Sequence, residues 1–250
     1  MTETTAVVLA AGKGTRMRSE LPKVLFPALG RAMIHWVLDA LQSAGIRQII
    51  VVVGYRAELV RNELSGRGVD FAVQTEQLGT GHAVQMCRPL LEKGTNPVLV
   101  VAGDSPMIQA SSVRELLEEF EDGGFGCLLG TLIKENPHGL GRIVRDSQNN
   151  FLRIVEHKDA SLEQRQINEV NMSTYLFDRP SLLWALDNLK NNNSQAEYYL
   201  TDCPELLLNN GKKVDARAVL KACESLSINT IDELAMVESK MREMGYQCVN

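Results

Sequence analysis

Apolar positions in the first half of the chain fall into short continuous runs that have no polar face. The runs "AVVLAA", "QIIVVVG" and "PVLVVAG" are typical of strands that are covered on both sides by other elements. With "VDFAVQ", they predict four strands, at residues 7–9, 48–54, 69–74 and 97–103.

Between these runs, apolar residues recur at helical spacing. Ile34, Val37 and Leu41 would share one helix face, and Gly45 follows where that helix would end. Because strand and helix alternate, the pattern predicts an α/β fold: a Rossmann-like, mainly parallel twisted sheet with helices on both faces. The predicted helices are residues 31–44, 56–64, 81–91 and 111–121.

After Gly126 the pattern changes to longer strand-like segments with polar alternation, "GRIVRD", "NFLRIVEH" and "EVNMSTYLF". The segment "DSQNN" has the composition of a hairpin turn. The second half therefore predicts antiparallel strands that close one side of the sheet. Two further helices are predicted, at residues 180–189 and, with an amphipathic pattern, at residues 230–244.

Composition limits the kinds of function. The 250 residues are 44% hydrophobic and 23% charged, as in ordinary globular proteins, and the net charge of −5 disfavours nucleic-acid binding as a main role. The apolar run near the start ends at Ala11, too short for a signal sequence or a membrane span. Five scattered cysteines without a CxxC pair are typical of reduced thiols, so a cytoplasmic protein without membrane partners is expected.

The segment "LAAGKGTRM", residues 9–17, follows the first predicted strand directly. It fits neither a Walker loop, since Lys13 lies between two glycines, nor a dinucleotide fingerprint, since Met17 stands where the third glycine belongs. Its glycines free backbone N–H groups to face an anion, and Lys13, Arg16, Arg18 and Lys23 concentrate positive charge there. A phosphate site explains the segment better than a solvated charged loop does.

Two other motifs follow predicted strands, at the sheet edge where ligands of such folds bind. In "VVAGDSP", Asp104 could ligate Mg²⁺, although an aspartate there is by itself more often a turn or cap residue. In "QTEQLGTGHA", Gln74 and Gln77 offer amide groups suited to the edge of a nucleobase, and Thr80 is also a candidate helix N-cap.

Together these motifs show a resemblance. "LAAGKGTRM" followed by "LPKVL" resembles the signature of sugar-1-phosphate nucleotidyltransferases. "EQLGTGHA", "VEHKDA", "RQINEVN" and "NNNSQAEYYLTD" narrow it to the N-acetylglucosamine-1-phosphate uridyltransferase (pyrophosphorylase domain) branch, over nearly the whole chain. The resemblance implies a nucleotide-diphospho-sugar transferase fold, Mg²⁺ as cofactor, and the substrates UTP and N-acetyl-α-D-glucosamine 1-phosphate.

The resemblance also implies site residues. Arg16 would hold the departing pyrophosphate and Lys23 the α-phosphate, and Asp104 and Asn229 would bind Mg²⁺. The implied nucleotide-binding residues are Leu9, Ala10, Ala11, Gly12, Gly14, Thr15, Gln74, Gly79, Thr80 and Gly103. The implied sugar-binding residues are Gly141, Glu156, Asn171, Tyr199 and Thr201.

Two departures from the family pattern affect the sugar side. Ala102 stands where an aromatic residue usually precedes the "GD" glycine, and Met172 replaces a small polar residue beside the sugar. Met172 leaves open a nucleotidyltransferase for another hexose 1-phosphate or another base, although Gln74 and the "EHKDA" context argue against it. A nucleotide-sugar-binding regulator without turnover is a further alternative, which the retained Lys23, Asp104 and Asn229 disfavour.

The expected organisation is a nucleotidyltransferase domain at residues 1–229 and a linker-like C-terminal helix at residues 230–250. Related enzymes are commonly bifunctional and carry a left-handed β-helix acetyltransferase domain, whose hexapeptide repeats do not occur in this sequence. Because that domain supplies the trimer contacts, a monomer or weak dimer is expected. The expected reaction gives pyrophosphate and UDP-N-acetylglucosamine, a precursor of peptidoglycan and the cell envelope.

Overall fold

The computed structural model describes residues 3–14, 17, 19–226, 228 and 230–248, without the side chain of residue 231. The strands are β1 Thr5–Ala10, β2 Pro27–Ala28, β3 Arg31–Ala32, β4 Gln48–Val53, β5 Asp70–Val73, β6 Val98–Ala102, β7 Cys127–Ile133, β8 Arg142–Arg145, β9 Phe151–Val155, β10 Glu169–Phe177 and β11 Val214–Arg217. The helices are α1 Met33–Ser43, α2 Ala57–Glu63, α3 Thr80–Gln85, α4 Arg88–Leu91, α5 Ala110–Gly123, α6 Arg179–Asn188, α7 Cys203–Asn209 and α8 Ile231–Glu243.

The central sheet has the strand order β11-β7-β10-β6-β1-β4-β5. β1 pairs in parallel with β4 and β6, β4 with β5, and β11 with β7. The interior strands are buried on both faces because apolar clusters cover them from either side. Helices α3, α6 and α7 contribute to one cluster, and α1, α2 and α5 contribute to the other. The predicted mainly parallel sheet with helices on both faces is confirmed.

The predicted antiparallel strands in the second half are confirmed, but the expectation that they only close one side of the sheet is wrong. β10 runs antiparallel inside the sheet, between β6 and β7. Its apolar segment around Tyr175 and Phe177 is fully buried, so an interior position satisfies it better than an edge. The predicted hairpin does form, from β8 and β9, and it attaches to the beginning of β10.

Several element boundaries differ from the prediction for local reasons. The helix predicted at 81–91 is divided into α3 and α4, because Pro89 lacks the N–H that a continuous helix would need. The helix predicted from residue 31 begins at Met33, because Arg31 and Ala32 pair with Ala28 and Pro27. β7, β11 and α7 had not been predicted.

α8 packs against its own domain. Val237 and Met241 are buried in a cluster with Ala28, Leu29 and Met33. The Glu238 carboxylate also accepts a hydrogen bond of 2.9 Å from the Leu29 N–H. The predicted amphipathic helix is thus confirmed, and its apolar face is covered by the domain. In the described part of the chain, no helix combines the length and apolar character that a membrane crossing requires.

Candidate active site

The loops that follow β1 and β6 lie side by side, because β1 and β6 are parallel neighbours and β4 continues the sheet on the other side of β1. Gly103 makes this close approach possible. Its N–H donates to the Leu9 carbonyl at 2.9 Å, and a β-carbon on Gly103 would also lie 2.9 Å from that oxygen. A side chain at residue 103 would therefore separate the two loops that form the edge of the site.

A cleft of about 390 Å³ opens at this edge. We call it the glycine cleft, since the loop after β1 forms one wall. It holds most of the residues that were predicted to bind the nucleotide. Its lining residues are Leu9, Ala10, Ala11, Gly12, Gly14, Lys23, Val24, Gln74, Gln77, Gly79, Thr80, Ala83, Ala102, Asp104, Ser173 and Glu197.

Gln74 is buried at the floor of the glycine cleft, with 3% of its surface exposed. Its amide nitrogen lies 3.0 Å from the Gly79 carbonyl oxygen, to which it donates, and 3.1 Å from His82 Nδ1. Gln74 thus holds the loop before α3 in place. Its predicted contact with a nucleobase stays a prediction.

Gly79, not Thr80, is the N-cap of α3, so the alternative role suggested for Thr80 is wrong. The Thr80 hydroxyl instead accepts a hydrogen bond from the Leu200 N–H at 3.1 Å. The Gly81 N–H donates to the Tyr198 carbonyl at 2.8 Å. These bonds join the start of α3 to the segment that precedes α7.

Replacing Gly79 with alanine is expected to lower the free energy of unfolding by more than about 2 kcal/mol. Gly79 has a φ of 110°, and a β-carbon there would lie 2.5 Å from the Tyr198 carbonyl oxygen. Gly66 is a matched control, because it has a φ of 80° and open space around its β-carbon position. Urea unfolding compares the two alanine variants, both at a positive φ but only one with a collision, and equal losses would contradict the predicted collision.

Lys23 and Asp104 form the charged centre of the site. Lys23 Nζ lies 2.5 Å from Asp104 Oδ2, and the two side chains are 14% and 29% exposed. Gly14 has a φ of 65°, and a β-carbon there would lie 2.7 Å from Lys23 Cβ, so the loop after β1 packs directly on Lys23. The structure thus brings together a predicted catalytic residue and a predicted metal ligand.

Some predicted residues lie outside the described residues: Thr15, Arg16, Arg18 and Asn229. Their predicted roles stay predictions. Lys13 is described, and its ammonium lies 5.4 Å from the centre of the Tyr55 ring, where a cation–π attraction is available. This contact directs Lys13 towards Tyr55.

A second cleft, of about 680 Å³, lies beside the first. We call it the β10 cleft, because β10 residues form one wall. It shares Lys23, Ala102, Asp104 and Ser173 with the glycine cleft, so the two clefts meet at the ion pair. Its other lining residues are Ser105, Lys134, His138, Gly139, Leu140, Asn171, Met172, Ser225, Leu226, Glu233, Met236 and Val237.

Three predicted sugar-binding residues, Gly141, Glu156 and Asn171, come together beside the β10 cleft, and Asn171 lines it. The Asn171 N–H donates to the Gly141 carbonyl at 2.9 Å. A β-carbon on Gly141 would lie 3.4 Å from Asn171 Cβ and 3.7 Å from Glu156 Oε1. Gly141 thus lets the segments that carry Asn171 and Glu156 approach each other closely.

The Thr201 side chain hydrogen-bonds the Glu156 carboxylate, so a fourth predicted sugar residue adjoins this group. Burial raises the pKa of Glu156, although the hydrogen bond from Thr201 opposes that effect. The Tyr199 hydroxyl accepts a hydrogen bond of 2.7 Å from the Gln195 amide nitrogen. The five predicted sugar residues therefore lie on segments that meet around Glu156, while their contacts with a sugar stay predictions.

The bend in β10 was missed by the sequence reasoning. The register with β7 shifts between Asn171 and Thr174, and Ser173 in the bulge has a φ of 53°. A non-glycine residue in this conformation is uncommon and is found at functional sites, where the bulge redirects side chains. Here it places Ser173 in the wall of both clefts. The Asn171 side-chain oxygen accepts a hydrogen bond of 3.2 Å from the Ser173 N–H, so the Asn and Ser of "NMS" were a local turn signal that had not been used.

Other lining residues that were not singled out are Lys134, His138, Glu197 and Glu233. They come from three segments that are far apart in the sequence, at residues 134–138, 197 and 233. For Lys134, the ammonium reaches the Ser225 carbonyl at 3.4 Å. Only the folded chain shows that these residues share the site.

Among the residues for which the structure gives a position, we find no cluster of three or more His, Cys, Asp or Glu side chains that could hold a metal. Asp104 is the carboxylate that both clefts share. A Mg²⁺ ion that is bound through one or two carboxylates and the phosphates of a substrate would need no larger cluster. The donor set therefore fits a cation that arrives with a phosphate ligand.

Burial raises the pKa of Asp202 from its ordinary 3.8 to about 6, with help from the carboxylates of Glu205, Glu156 and Asp159. Since the folded chain keeps a proton that the unfolded chain has released, stability falls as the pH rises from about 4 to about 6. The Asp202→Asn variant cannot ionise, so it should unfold at higher urea concentration than the parent at pH 8.

As the pH falls below the ordinary pKa of 3.8, this advantage of Asp202→Asn over the parent should vanish, because residue 202 of the parent is then neutral in both the folded and the unfolded chain. Asp70→Asn, at an exposed position, serves as the control for the loss of one carboxylate charge. A variant at residue 202 that is less stable than the parent at pH 8 would contradict the effect of burial on this carboxyl group.

Comparison with known proteins agrees with this geometry. The sequence profile of the MobA-like NTP transferase domain matches residues 6–155. The chain is 45% identical over 237 residues to the bifunctional protein GlmU of Streptococcus sanguinis, covering 95% of this chain and 51% of that protein. It is 44% identical over 238 residues to the bifunctional protein GlmU of a Geobacillus species, covering 95% of this chain and 52% of that protein.

The chain spans about half the length of the curated relatives it matches. Among solved structures, it is similar to a candidate glucose-1-phosphate thymidylyltransferase from Bacillus anthracis in complex with a sucrose. The TM-score is 0.77, the identity is 19%, and the match covers 97% of each chain. At this identity the likeness concerns the fold alone.

Proposed function

This chain belongs to the family of MobA-like NTP transferase domains, and we propose that it transfers the uridylyl group of UTP to N-acetyl-α-D-glucosamine 1-phosphate. The products are UDP-N-acetylglucosamine and pyrophosphate. The identity with GlmU proteins over 95% of this chain supports the proposal.

One observation carries the proposal: two clefts, of about 390 and 680 Å³, meet at the Lys23–Asp104 pair. A transfer between two phosphate-bearing substrates needs such an arrangement, with each substrate in its own cleft and the reacting phosphates at the junction. The glycine cleft, with its small residues and Gln74, suits a nucleotide. The β10 cleft, with Asn171 on its wall, suits the sugar phosphate.

The reaction requires positioning and charge neutralisation more than covalent catalysis. A phosphate oxygen of the sugar phosphate attacks the α-phosphorus of UTP, and the bond to pyrophosphate breaks. Because this oxygen is already anionic at neutral pH, no side-chain nucleophile is needed. The Lys23 ammonium lies where both clefts meet, so it can hold an α-phosphate oxygen, and orientation supplies much of the rate.

We infer that a divalent cation, Mg²⁺, is held by Asp104 together with the phosphates. The Asp104 carboxylate, 29% exposed at the junction of the clefts, supports this assignment. The cation would neutralise negative charge on the phosphate oxygens. Arg16 and Asn229, which lie outside the described residues, keep their proposed roles on the pyrophosphate and on the cation.

Met172 favours a second candidate, a nucleotidyltransferase for another hexose 1-phosphate. It lines the β10 cleft beside Asn171, where its flexible side chain could pack on an acetyl methyl group or fill that space. A nucleotide-sugar-binding regulator without turnover is disfavoured, because simple binding does not require the Lys23–Asp104 pair at the junction.

Pyrophosphate release tests all three candidates. The protein is mixed with UTP, Mg²⁺ and, in separate assays, the 1-phosphates of N-acetylglucosamine, glucose and galactose, with ATP and dTTP replacing UTP as controls. Release with UTP and the N-acetylated sugar is expected. Release mainly with another sugar or base supports the second candidate. Saturable binding of nucleotide sugar without any release would support the regulator.

We also propose that residues 1–229 form the nucleotidyltransferase domain, that residues 230–250 form an appended helix, and that the protein acts in the cytoplasm. α8 covers its apolar face with Ala28, Leu29 and Met33 of the same chain. The 250-residue chain is therefore expected to sediment as a monomer or weak dimer. A stable trimer at micromolar concentration in analytical ultracentrifugation would contradict this prediction.

A further inference from the structure

Arg142, the first residue of β8, is a buried cation beside the β10 cleft. Only 1% of its surface is exposed. It pairs with Val155 of β9 and with Val170 of β10, and it follows Gly141 directly. Arg142 is thus adjacent to the predicted sugar residues, although it is too deeply buried to touch a ligand in the cleft.

The hydrogen-bond partners of Arg142 are neutral. Its guanidinium donates to the Leu140 carbonyl and, at 3.3 Å, to the Arg165 carbonyl, and it lies 3.5 Å from His157 Nδ1. Its Nε atom has no partner in the described part of the chain. Burial lowers the pKa of Arg142, and the nearby Arg165 charge lowers it further. A buried charge without a carboxylate partner is costly, so stability alone does not account for it.

The partners of Arg142 lie on two separate segments, and the first of them forms part of the wall of the β10 cleft. Residues 137–141 come before β8, and His138 and Leu140 from this segment line the cleft. Residues 156–165 come after β9 and begin with Glu156. The His138 and His157 rings also touch edge to face, with 4.6 Å between their centres, so the two segments meet a second time.

We propose that Arg142 is a positioning residue for the sugar phosphate. It holds residues 137–141 and residues 156–165 at a fixed separation, and so it sets the wall formed by His138 and Leu140 relative to Glu156. Because Arg142 is buried behind these segments, it acts through them. This inference rests on the proposed function, since it assigns the β10 cleft to the sugar phosphate.

Arg179 provides a matched control. It is 3% exposed, and it donates to the carbonyls of Asn96 and Leu91 and to the Thr5 hydroxyl at 2.6–2.8 Å. Burial lowers its pKa as it does for Arg142. These partners lie near the amino ends of β1 and β6, opposite to the clefts. Arg179 is thus a buried guanidinium with neutral partners that is not part of the site.

The test compares Arg142→Met and Arg142→Lys with the same two changes at Arg179. In steady-state assays of pyrophosphate release, Arg142→Met should raise the KM for the sugar phosphate at least tenfold. The KM for UTP should stay within twofold of the parent and kcat within threefold. Arg142→Lys should show a smaller rise, since an ammonium can still donate to the Leu140 carbonyl. Both Arg179 variants should keep both KM values.

If Arg142→Met does not fold, the test uses Arg142→Lys and His157→Ala. The His157→Ala change removes one partner of Arg142, and His157 is less buried than Arg142. A KM for the sugar phosphate that stays at the parental value, or KM values for both substrates that rise together, would overturn the proposal. If Arg142 had a purely structural role, the variants at Arg142 and at Arg179 would all unfold at lower temperature, and the KM for the sugar phosphate would not rise relative to the KM for UTP.

Amide hydrogen exchange separates this inference from the proposed function. In Arg142→Lys, residues 137–141 and 156–165 should exchange at least threefold faster, and both segments should change together. Arg179→Lys should leave both segments unchanged. If the parent protein transfers no nucleotide, the proposed function fails, while coupled exchange would still support the tie between the segments. Unchanged exchange in both segments would overturn that tie.

Discussion

Changing Asp104 to asparagine is expected to lower kcat for uridylyl transfer by about 100-fold or more, the usual scale for loss of a preorganised electrostatic group. Asparagine keeps the shape of the side chain, but it removes one negative charge from the junction of the two clefts. That charge is proposed to hold the cation that neutralises the phosphates. Initial rates of pyrophosphate release at saturating UTP, sugar phosphate and Mg²⁺ measure the effect.

Asp70→Asn is the matched control for this variant. Asp70 is exposed and begins β5, at the end of the sheet opposite to the clefts, so this variant should keep the parental rate. Thermal unfolding of both variants verifies that the fold is retained. A kcat for Asp104→Asn within a few-fold of the parent, at saturating Mg²⁺, would remove Asp104 from the proposed cation site.

The parent protein is expected to prefer N-acetylglucosamine 1-phosphate to glucose 1-phosphate in kcat/KM. A site built to pair with the acetamido group leaves its own polar groups unmatched when that group is absent, which costs about 1–3 kcal/mol for each group. We expect Asn171→Ala to reduce this preference and to leave the KM for UTP nearly unchanged. Equal use of the two sugars by the parent would contradict the proposed substrate.

Tyr175→Phe separates recognition from stability. The Asn171 side-chain nitrogen donates to the buried Tyr175 hydroxyl at 2.7 Å, so Asn171→Ala also leaves that hydroxyl without its donor. Tyr175→Phe breaks the same hydrogen bond but keeps Asn171 at the cleft wall. Both variants should unfold at lower urea concentration, and only Asn171→Ala should lose sugar preference. A parallel loss of preference in both variants would show that Asn171 acts by holding the strand.

Most residues of the glycine cleft could be predicted from the sequence, since they lie in short motifs of neighbouring residues. "LAAGKGTRM", "QTEQLGTGHA" and "VVAGDSP" each come directly after a strand, and parallel strands place such loops on one edge. Fewer residues of the β10 cleft could be predicted from the sequence. Asn171, which lines this cleft, came from the family resemblance, as did the adjacent Gly141 and Glu156, while Ser173, Lys134 and His138 became visible only when β10, β7 and the hairpin were in place.

The sequence by itself determined the alternation of buried strands and amphipathic helices, because burial on one or both faces is recorded in the local spacing of apolar residues. It also determined the chemistry of the loops after the strands, which depends on neighbouring residues. Only the tertiary structure decided that β10 enters the sheet antiparallel between β6 and β7, and that Lys23 meets Asp104, 81 residues away. Such contacts depend on strand order, for which local spacing carries no signal.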